Sequence, residues 1–273
     1  LNFHVKMGKI IAICNQKGGV GKTTTCINLS AFLAHLGKKV LVIDLDPQGN
    51  ATSGLGIDKN KLQHFIYHAL LKEVGIEEII FPTALENLSL IPSRIELIGA
   101  EVELYKIEGG QFVLKSLLEG IQRHFDFLFI DLPPSLGLLT VNGLTASHSV
   151  LIPIQCEYYA LEGLGQLWLT LEKIKESLNP YLSVEGILLT MADLRTNLAQ
   201  EVIAEARRHF GKDVYETVIP RSVRLSEAPS FGKPILLYAP DSLGALKYKE
   251  LAQEFMVRNS EINVNIKLTT QSS

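Results

Sequence analysis

Asn15-Gln16-Lys17-Gly18-Gly19-Val20-Gly21-Lys22-Thr23-Thr24 stands between an apolar run, Ile10-Ile11-Ala12-Ile13-Cys14, and a helix-period segment from Thr25 to Leu36. A strand, a glycine-rich loop and a helix opening on Gly-Lys-Thr form the context of a phosphate-binding loop. Gly18, Gly19 and Gly21 let backbone N–H groups curl toward phosphate oxygens, because no Cβ opposes positive φ. The helix N-terminus adds partial positive charge. Lys22 supplies a full charge for the β- and γ-phosphates, and the Thr23 hydroxyl can ligate Mg²⁺. The usual loop has a further glycine five residues before Gly21; here that position is Gln16, with a second lysine, Lys17, beside it.

Outward from this loop, short apolar runs alternate with helix-period segments. The runs are Lys9–Cys14, Lys39–Asp44, Asp126–Asp131, Ser149–Ile154 and Val184–Thr190, with weaker ones at Leu88–Pro92 and Val214–Ile219. Their continuous apolarity fits parallel strands covered on both faces. The helical segments are Thr23–Leu36, Phe112–Arg123, Leu138–Ser147, Ala160–Ser177, Asn197–Phe210 and Ser242–Arg258. This alternation predicts an α/β fold, a doubly wound, mostly parallel sheet with helices on both faces. No linker-like stretch or repeat divides it, so residues 7–258 read as one domain. Residues 1–6, ahead of Met7, read as an extension, and residues 259–273 as a polar, mobile tail.

Ligands in such sheets sit at the carboxyl ends of the strands. Asp44-Leu45-Asp46, Asp131-Leu132-Pro133-Pro134, Gln155-Cys156-Glu157 and Thr190-Met191-Ala192-Asp193 occupy those positions. A carboxylate at the end of a buried strand is costly unless it meets a cation or donors. Asp44 and Asp131 beside a phosphate loop therefore point to Mg²⁺.

The chain has 273 residues, 47% of them hydrophobic, enough for a sizeable core. A net charge of −3 gives no global attraction to nucleic acid or anionic lipid, so any DNA contact needs a local patch. The three cysteines, Cys14, Cys26 and Cys156, lack metal-ligand spacing and read as reduced, buried thiols. No charged-then-apolar leader opens the chain, so a cytoplasmic location is expected. The longest apolar stretch, Phe125 to Leu144, is broken by Asp126, Asp131 and Pro133-Pro134 and does not read as a membrane span.

Taken together, Asn15–Thr25, Leu41–Gly56, Ile130–Leu139, Gln155–Leu164, Thr190–Asn197 and Ile219–Pro234 resemble the ParA/Soj chromosome-partitioning ATPases, over nearly Met7 to Ala252. The loop, Lys-Gly-Gly-x-Gly-Lys-Thr, is similar to the deviant Walker A loop of the ParA/MinD class of P-loop NTPases. The resemblance implies a slow, Mg²⁺-dependent ATPase that closes into a homodimer with ATP sandwiched between the subunits. It implies that Lys17 reaches the γ-phosphate held by the partner subunit. Gly18, Gly19, Val20, Gly21, Lys22, Thr23 and Thr24 would hold the phosphates in cis. Thr23 would bind Mg²⁺ directly, Asp131 through water, Asp44 would support the metal side, and Asp46 would orient the attacking water. Met191 and Pro220 match positions that hold adenine. Arg195 and Arg224 match arginines through which the ATP-bound dimer binds double-stranded DNA without sequence preference, and Arg207, Arg208, Lys212, Arg221 and Lys233 could extend that face. The implied partner is a ParB/Spo0J-type centromere-binding protein that stimulates hydrolysis through a short basic N-terminal segment. The implied place is the cytoplasm, on the nucleoid.

A MinD-like membrane switch shares the loop and the dimer and is the alternative. It requires a basic amphipathic C-terminal helix. The segment Asn259–Lys267 has alternating apolar residues and a single lysine, which argues against lipid. A metal-cluster carrier of the same fold needs paired cysteines at the dimer face, and the sequence has none.

Overall fold

The computed structural model describes residues 7–157 and 160–269. The strands are β1 (Lys9–Ile13), β2 (Val40–Asp44), β3 (Phe81–Pro82), β4 (Leu88–Ile91), β5 (Phe127–Asp131), β6 (Ser149–Gln155) and β7 (Ser183–Thr190). They form one sheet in the order β3-β4-β2-β5-β1-β6-β7. Every pairing is parallel except that of β3 with β4. The helices are α1 (Lys22–His35), α2 (Asn50–Gly54), α3 (Ile66–Leu70), α4 (Ile98–Lys106), α5 (Val113–Ile121), α6 (Leu138–Ala146), α7 (Ala160–Ser177), α8 (Asn197–Phe210), α9 (Val223–Glu227), α10 (Ile235–Tyr238) and α11 (Leu243–Thr269). This is the expected doubly wound sheet.

Alternate residues of each inner strand enter two separate cores. Ile10, Ala12, Leu41 and Ile43 pack on one face; Ile11, Ile13, Val40 and Val42 pack on the other. Both faces exclude water, so the strands read as unbroken apolar runs rather than alternating ones. Each fully buried aliphatic side chain contributes about 1.5–3 kcal/mol. Helix α1 is buried from Thr25 to Ala34, which is why that stretch carries no charged residue and is mostly apolar. Cys14, Cys26 and Cys156 lie inside as free thiols; burial pushes Cys14 up to about 12 and Cys156 up to about 11, so they stay protonated.

Register places the site. Ile13, Asp131 and Asp44 are paired neighbours on β1, β5 and β2, so the phosphate loop begins beside two strand-end carboxylates.

Some elements differ from expectation. Val214–Ile219 is not a strand. It touches the sheet edge through isolated bridges, Ile187 to Val214 and Ala192 to Pro220. The buried Tyr215 ring packs over Gly186, where a Cβ would lie 2.4 Å from it. The final helix does not stop at Arg258 but runs through Thr269. Asn259, expected to open a polar tail, is buried, donating to Glu185 Oε1 at 2.8 Å and to the Phe255 carbonyl at 2.9 Å. The expected extension, residues 1–6, and the tail beyond Thr269 lie outside the described residues.

Candidate functional site

The loop between β1 and α1 curls through positive φ at Gly19 (74°) and Gly21 (86°). A Cβ at Gly19 would meet nothing within 4 Å, so the demand for glycine there is conformational rather than steric. Val20 turns its side chain into the core and leaves only its backbone to the loop. Two side chains that the sequence did not single out fasten the loop. Asn15 Nδ2 donates to the Pro153 carbonyl at 2.7 Å, and its Oδ1 accepts from Lys17 N at 3.0 Å. The Thr190 hydroxyl, at the end of β7, donates to the carbonyls of Val20 (2.9 Å) and Ile154 (3.1 Å).

The charged centre sits under this loop. Thr23 Oγ1 donates to Asp131 Oδ2 at 2.7 Å. Asp131 is fully buried, and its Oδ1 has no hydrogen-bond partner. Burial, then the Asp44 charge, hold its carboxyl well above the usual range, against the Thr23 hydrogen bond and the Lys22 charge. Lys22 is also buried; its pKa is lowered by desolvation and supported by Asp131, Cys14 and Asp46. Asp44 turns its carboxylate elsewhere. Its Oδ2 accepts from Thr52 N and Thr52 Oγ1, each at 2.7 Å, and its Oδ1 accepts from Asp46 N at 3.3 Å. Burial nevertheless pushes it up to about 6. Asp46 Oδ1 accepts from Gln48 N at 2.9 Å, fixing the turn that follows.

Carboxylate charge here exceeds the single lysine, and the free Asp131 oxygen and the Thr23 hydroxyl are hard donors. That set suits Mg²⁺, which keeps water and phosphate oxygens in its shell and needs few protein ligands. Among the described residues no three or more His, Cys, Asp or Glu side chains form a cage of their own.

Two clefts meet at the loop. One, of about 340 Å³, is lined by Gly18, Gly19, Gly21, Lys22, Thr23, Thr24, Asp46 and Met191, among others. The other, of about 350 Å³, is lined by Thr24, Met191, Ile219, Pro220, Arg221 and Tyr248, among others. They share Gly21, Thr24 and Met191, so a phosphate chain in the first can continue to a flat base in the second. Met191 and Pro220 both line the second cleft. Met191 holds φ at 52°, an uncommon conformation for a side chain of its size. Backbone bonds from Ala192 N to the Ile219 carbonyl and from Arg221 N to the Ala192 carbonyl, each 3.1 Å, tie the two walls together.

A family model described as an AAA domain matches residues 8–184. The chain is 57% identical over 248 residues to the sporulation initiation inhibitor protein Soj of Bacillus subtilis (strain 168), covering 91% of this chain and 98% of that one. It is 53% identical over 254 residues to the chromosome partitioning protein ParA of Myxococcus xanthus (strain DK1622), covering 93% and 90%. The chain belongs to the ParA/Soj family of chromosome-partitioning ATPases. A crystal structure from Mycobacterium smegmatis, described as cobyrinic acid a,c-diamide synthase with bound ADP and magnesium, shares the fold. Its TM-score is 0.80 at 38% identity, covering 90% of this chain and 93% of that one.

Lys17, Arg195, Arg224, Arg207 and Arg208 lie on the surface, each beside a carboxylate. Lys17 Nζ is 3.0 Å from Glu157 Oε2, a partner 140 residues away that the sequence did not suggest. Arg195 is exposed and makes a two-pronged contact with Asp193 at 2.8 and 2.7 Å, which holds Asp193 at about 2. Arg224 Nη1 is 3.1 Å from Glu227 Oε2, which also accepts from the Tyr238 hydroxyl. Arg207 and Arg208 pair with Glu216 and Glu205. No helix among the described residues is long and apolar enough to cross a membrane.

Proposed function

We propose that this chain is an ATP-driven dimerisation switch. It binds duplex DNA without sequence preference, hydrolyses ATP slowly with Mg²⁺, and drives or regulates chromosome segregation with a ParB/Spo0J-type partner. The observation that carries the reading is Asp131, a buried carboxylate short of positive charge and bonded to Thr23 at the phosphate loop. Thr23 and Asp131 would hold Mg²⁺, which would supply charge neutralisation for the phosphates when bound. Lys22 and the loop amides grip the phosphates; Met191 and Pro220 flank the base. Asp46 lines the phosphate cleft and orients the attacking water, since phosphoryl transfer depends on positioning and electrostatics. Asp44 is a positioning residue that acts through Thr52 and the backbone of Asp46. Lys17 leaves Glu157 for the γ-phosphate of the partner subunit. Arg195 and Arg224 meet DNA phosphates. One subunit of a net acidic chain binds weakly, and joining two makes the second contact intramolecular. The protein works in the cytoplasm, on the nucleoid.

Co-sedimentation with two unrelated duplexes, in ATP, in ADP and without nucleotide, tests this. ATP alone should carry the protein down, equally with both duplexes. Lys17→Ala should bind ATP yet elute as a monomer and stay off DNA. Equal sedimentation with ADP sinks the switch, and flotation with anionic vesicles in place of DNA binding would favour the MinD-like alternative.

A further inference from the structure

The segment 46–50 is a wall with a cleft on each side. Asp46, Gln48 and Asn50 line the phosphate cleft. Pro47 and Gln48 line a third cleft, of about 330 Å³, completed by Lys59, Asn60, Arg94 and Ile95. Gln48 is the residue common to the two. The lining of the third cleft holds a lysine and an arginine and no carboxylate.

Both cations are held in place. Asp58 Oδ1 accepts from Asn60 N at 3.0 Å and shapes the turn that carries Lys59. The stem of Lys59 lies against Gly49, where a Cβ would come within 2.8 Å of Lys59 Cδ and of the Ser93 carbonyl. Gly49 also holds φ at 62°, so space and conformation both demand glycine there. Lys59 Nζ then donates to the Gln48 carbonyl at 2.8 Å, a neutral partner. Asp58 is 3.6 Å from Lys61 instead, and among the described residues Lys59 forms no ion pair. Arg94 is fixed by the Phe65 ring, 5.5 Å from its guanidinium, and by the Leu62 carbonyl, to which Nη1 donates at 3.1 Å. Its carboxylate partner is Glu96 at 2.7 Å, half exposed, and a pair so placed is weak. Lysine and guanidinium groups bonded in this way keep N–H donors to spare.

We infer that this cleft is a separate anion site that takes free inorganic phosphate, the tetrahedral product that ATP hydrolysis releases. An oxyanion satisfies the donors that neutral carbonyls leave idle, and charge-assisted bonds are the stronger kind. The wall between the clefts carries Asp46, so a phosphate seated here lies behind the water-orienting residue and outside the γ-phosphate position. The product then has a binding site away from ADP. Its origin in hydrolysis rests on the ATP-switch reading above; the affinity of the cleft for an anion does not.

Phosphorus NMR of inorganic phosphate added to the full chain tests this, with the nucleotide site first filled by Mg²⁺ and the non-hydrolysable ATP analogue AMPPNP. The phosphate resonance should still shift and broaden in a saturable way. Lys59→Gln and Arg94→Gln should each weaken phosphate binding by about tenfold, the loss of one charge-assisted partner, while Lys59→Arg should keep it. Glu96→Gln should tighten it by about twofold to fivefold, because a weakly held competing carboxylate is gone. AMPPNP affinity should stay unchanged in every variant, which shows that each is folded and that the two sites are separate. If the wild type fails to bind AMPPNP, the ATP-switch reading fails, and the dependence of phosphate binding on Lys59 still decides this one. Loss of phosphate binding once AMPPNP is present, or equal binding in Lys59→Gln and Arg94→Gln, overturns the inference. So does displacement of phosphate by a short DNA duplex, which would make the cleft part of a DNA face.

Discussion

Glu185 and Asp131 are both buried carboxylates on the same sheet, at opposite ends of its strands. Glu185, near the amino end of β7, accepts from Lys9 Nζ and Ser149 Oγ at 2.5 Å each and from Asn259 Nδ2 at 2.8 Å. Those groups come from β1, β6 and α11, so the carboxylate ties elements together and its charge is met. Asp131, at the carboxyl end of β5, accepts from Thr23 and leaves one oxygen with nothing, with Asp44 as a like-charged neighbour. Burial costs the same in kind at both ends. The amino end settles that cost internally and serves the fold. The carboxyl end leaves it open, and a ligand carrying a cation settles it.

The largest test of this contrast is Asp131→Asn. ATP turnover should fall by about 10²–10³-fold, the usual loss when one preorganised electrostatic group is removed from a transition state. The ligand-free protein should become more stable, by about 1–2 kcal/mol and a few degrees in Tm, because a carboxyl that is costly to ionise in its buried place is replaced by a neutral amide. A drop in both would place Asp131 with Glu185, as a structural acid. The mirror experiment is Glu185→Gln. Breaking a buried pair costs about 3–5 kcal/mol, and Lys9 is partly exposed, so about 2–3 kcal/mol is expected. Mg-ATP affinity, read by fluorescence titration, should stay within about twofold. A Tm left unchanged would show that the amino-end network does not hold the sheet.

The pH dependence sharpens the contrast. Burial pushes Asp44 in the folded chain up to about 6, against 3.8 for a free aspartate side chain. A raised carboxyl pKa gives stability that is full below the unfolded value and is lost as pH rises through the folded one. The apo protein should therefore lose up to about 3 kcal/mol from this group between about pH 4 and pH 6. Asp193 and Glu254, whose pKa values are lowered, act with the opposite sign. Urea unfolding of wild type against Asp44→Asn isolates the term. Parallel stability curves across that window would contradict it.

The smallest effect belongs to the exposed pairs. The Arg224–Glu227 contact is solvent-exposed and weak, so on the proposed reading DNA phosphates displace the carboxylate. If the proposed dimer sets Arg195 and Arg224 of each subunit on DNA, about four phosphate contacts give a slope of log K on log salt near −3.6. Arg224→Ala should flatten it by about 1.8. Glu227→Gln should tighten binding only by about twofold to fivefold, as expected for release of one weak pair. Fluorescence anisotropy across a salt series decides, and an unchanged slope in Arg224→Ala would remove that residue from the interface.

The main strands were legible because burial on both faces makes them continuous apolar runs, and α7 and α8 match their expected bounds. The phosphate loop was legible because positive φ writes itself as glycine. The short helices α2, α3, α9 and α10 were not, since four or five residues span barely one helical turn and show no period. Asp44 was recognised as important, but its attachment to Thr52 depends on a turn eight residues on. Glu157 was invisible as the companion of Lys17, because only the fold brings them together. Thr190 carried a weak signal, a hydroxyl at a strand end, but which carbonyls it meets is a tertiary fact.

The two margins of the sheet carry a consequence for growth of aggregates. On one side lies β3, two residues long and antiparallel, with Pro82 lacking an N–H. On the other, the Val214–Ile219 segment takes up the Ile187 and Leu189 carbonyls through Tyr215 N and Ile219 N. Neither margin offers a long free row of donors and acceptors to another chain, so open-ended fibrils built strand upon strand have no template. If the proposed dimer forms only on command, the protein is better served by having no idle way of sticking to itself.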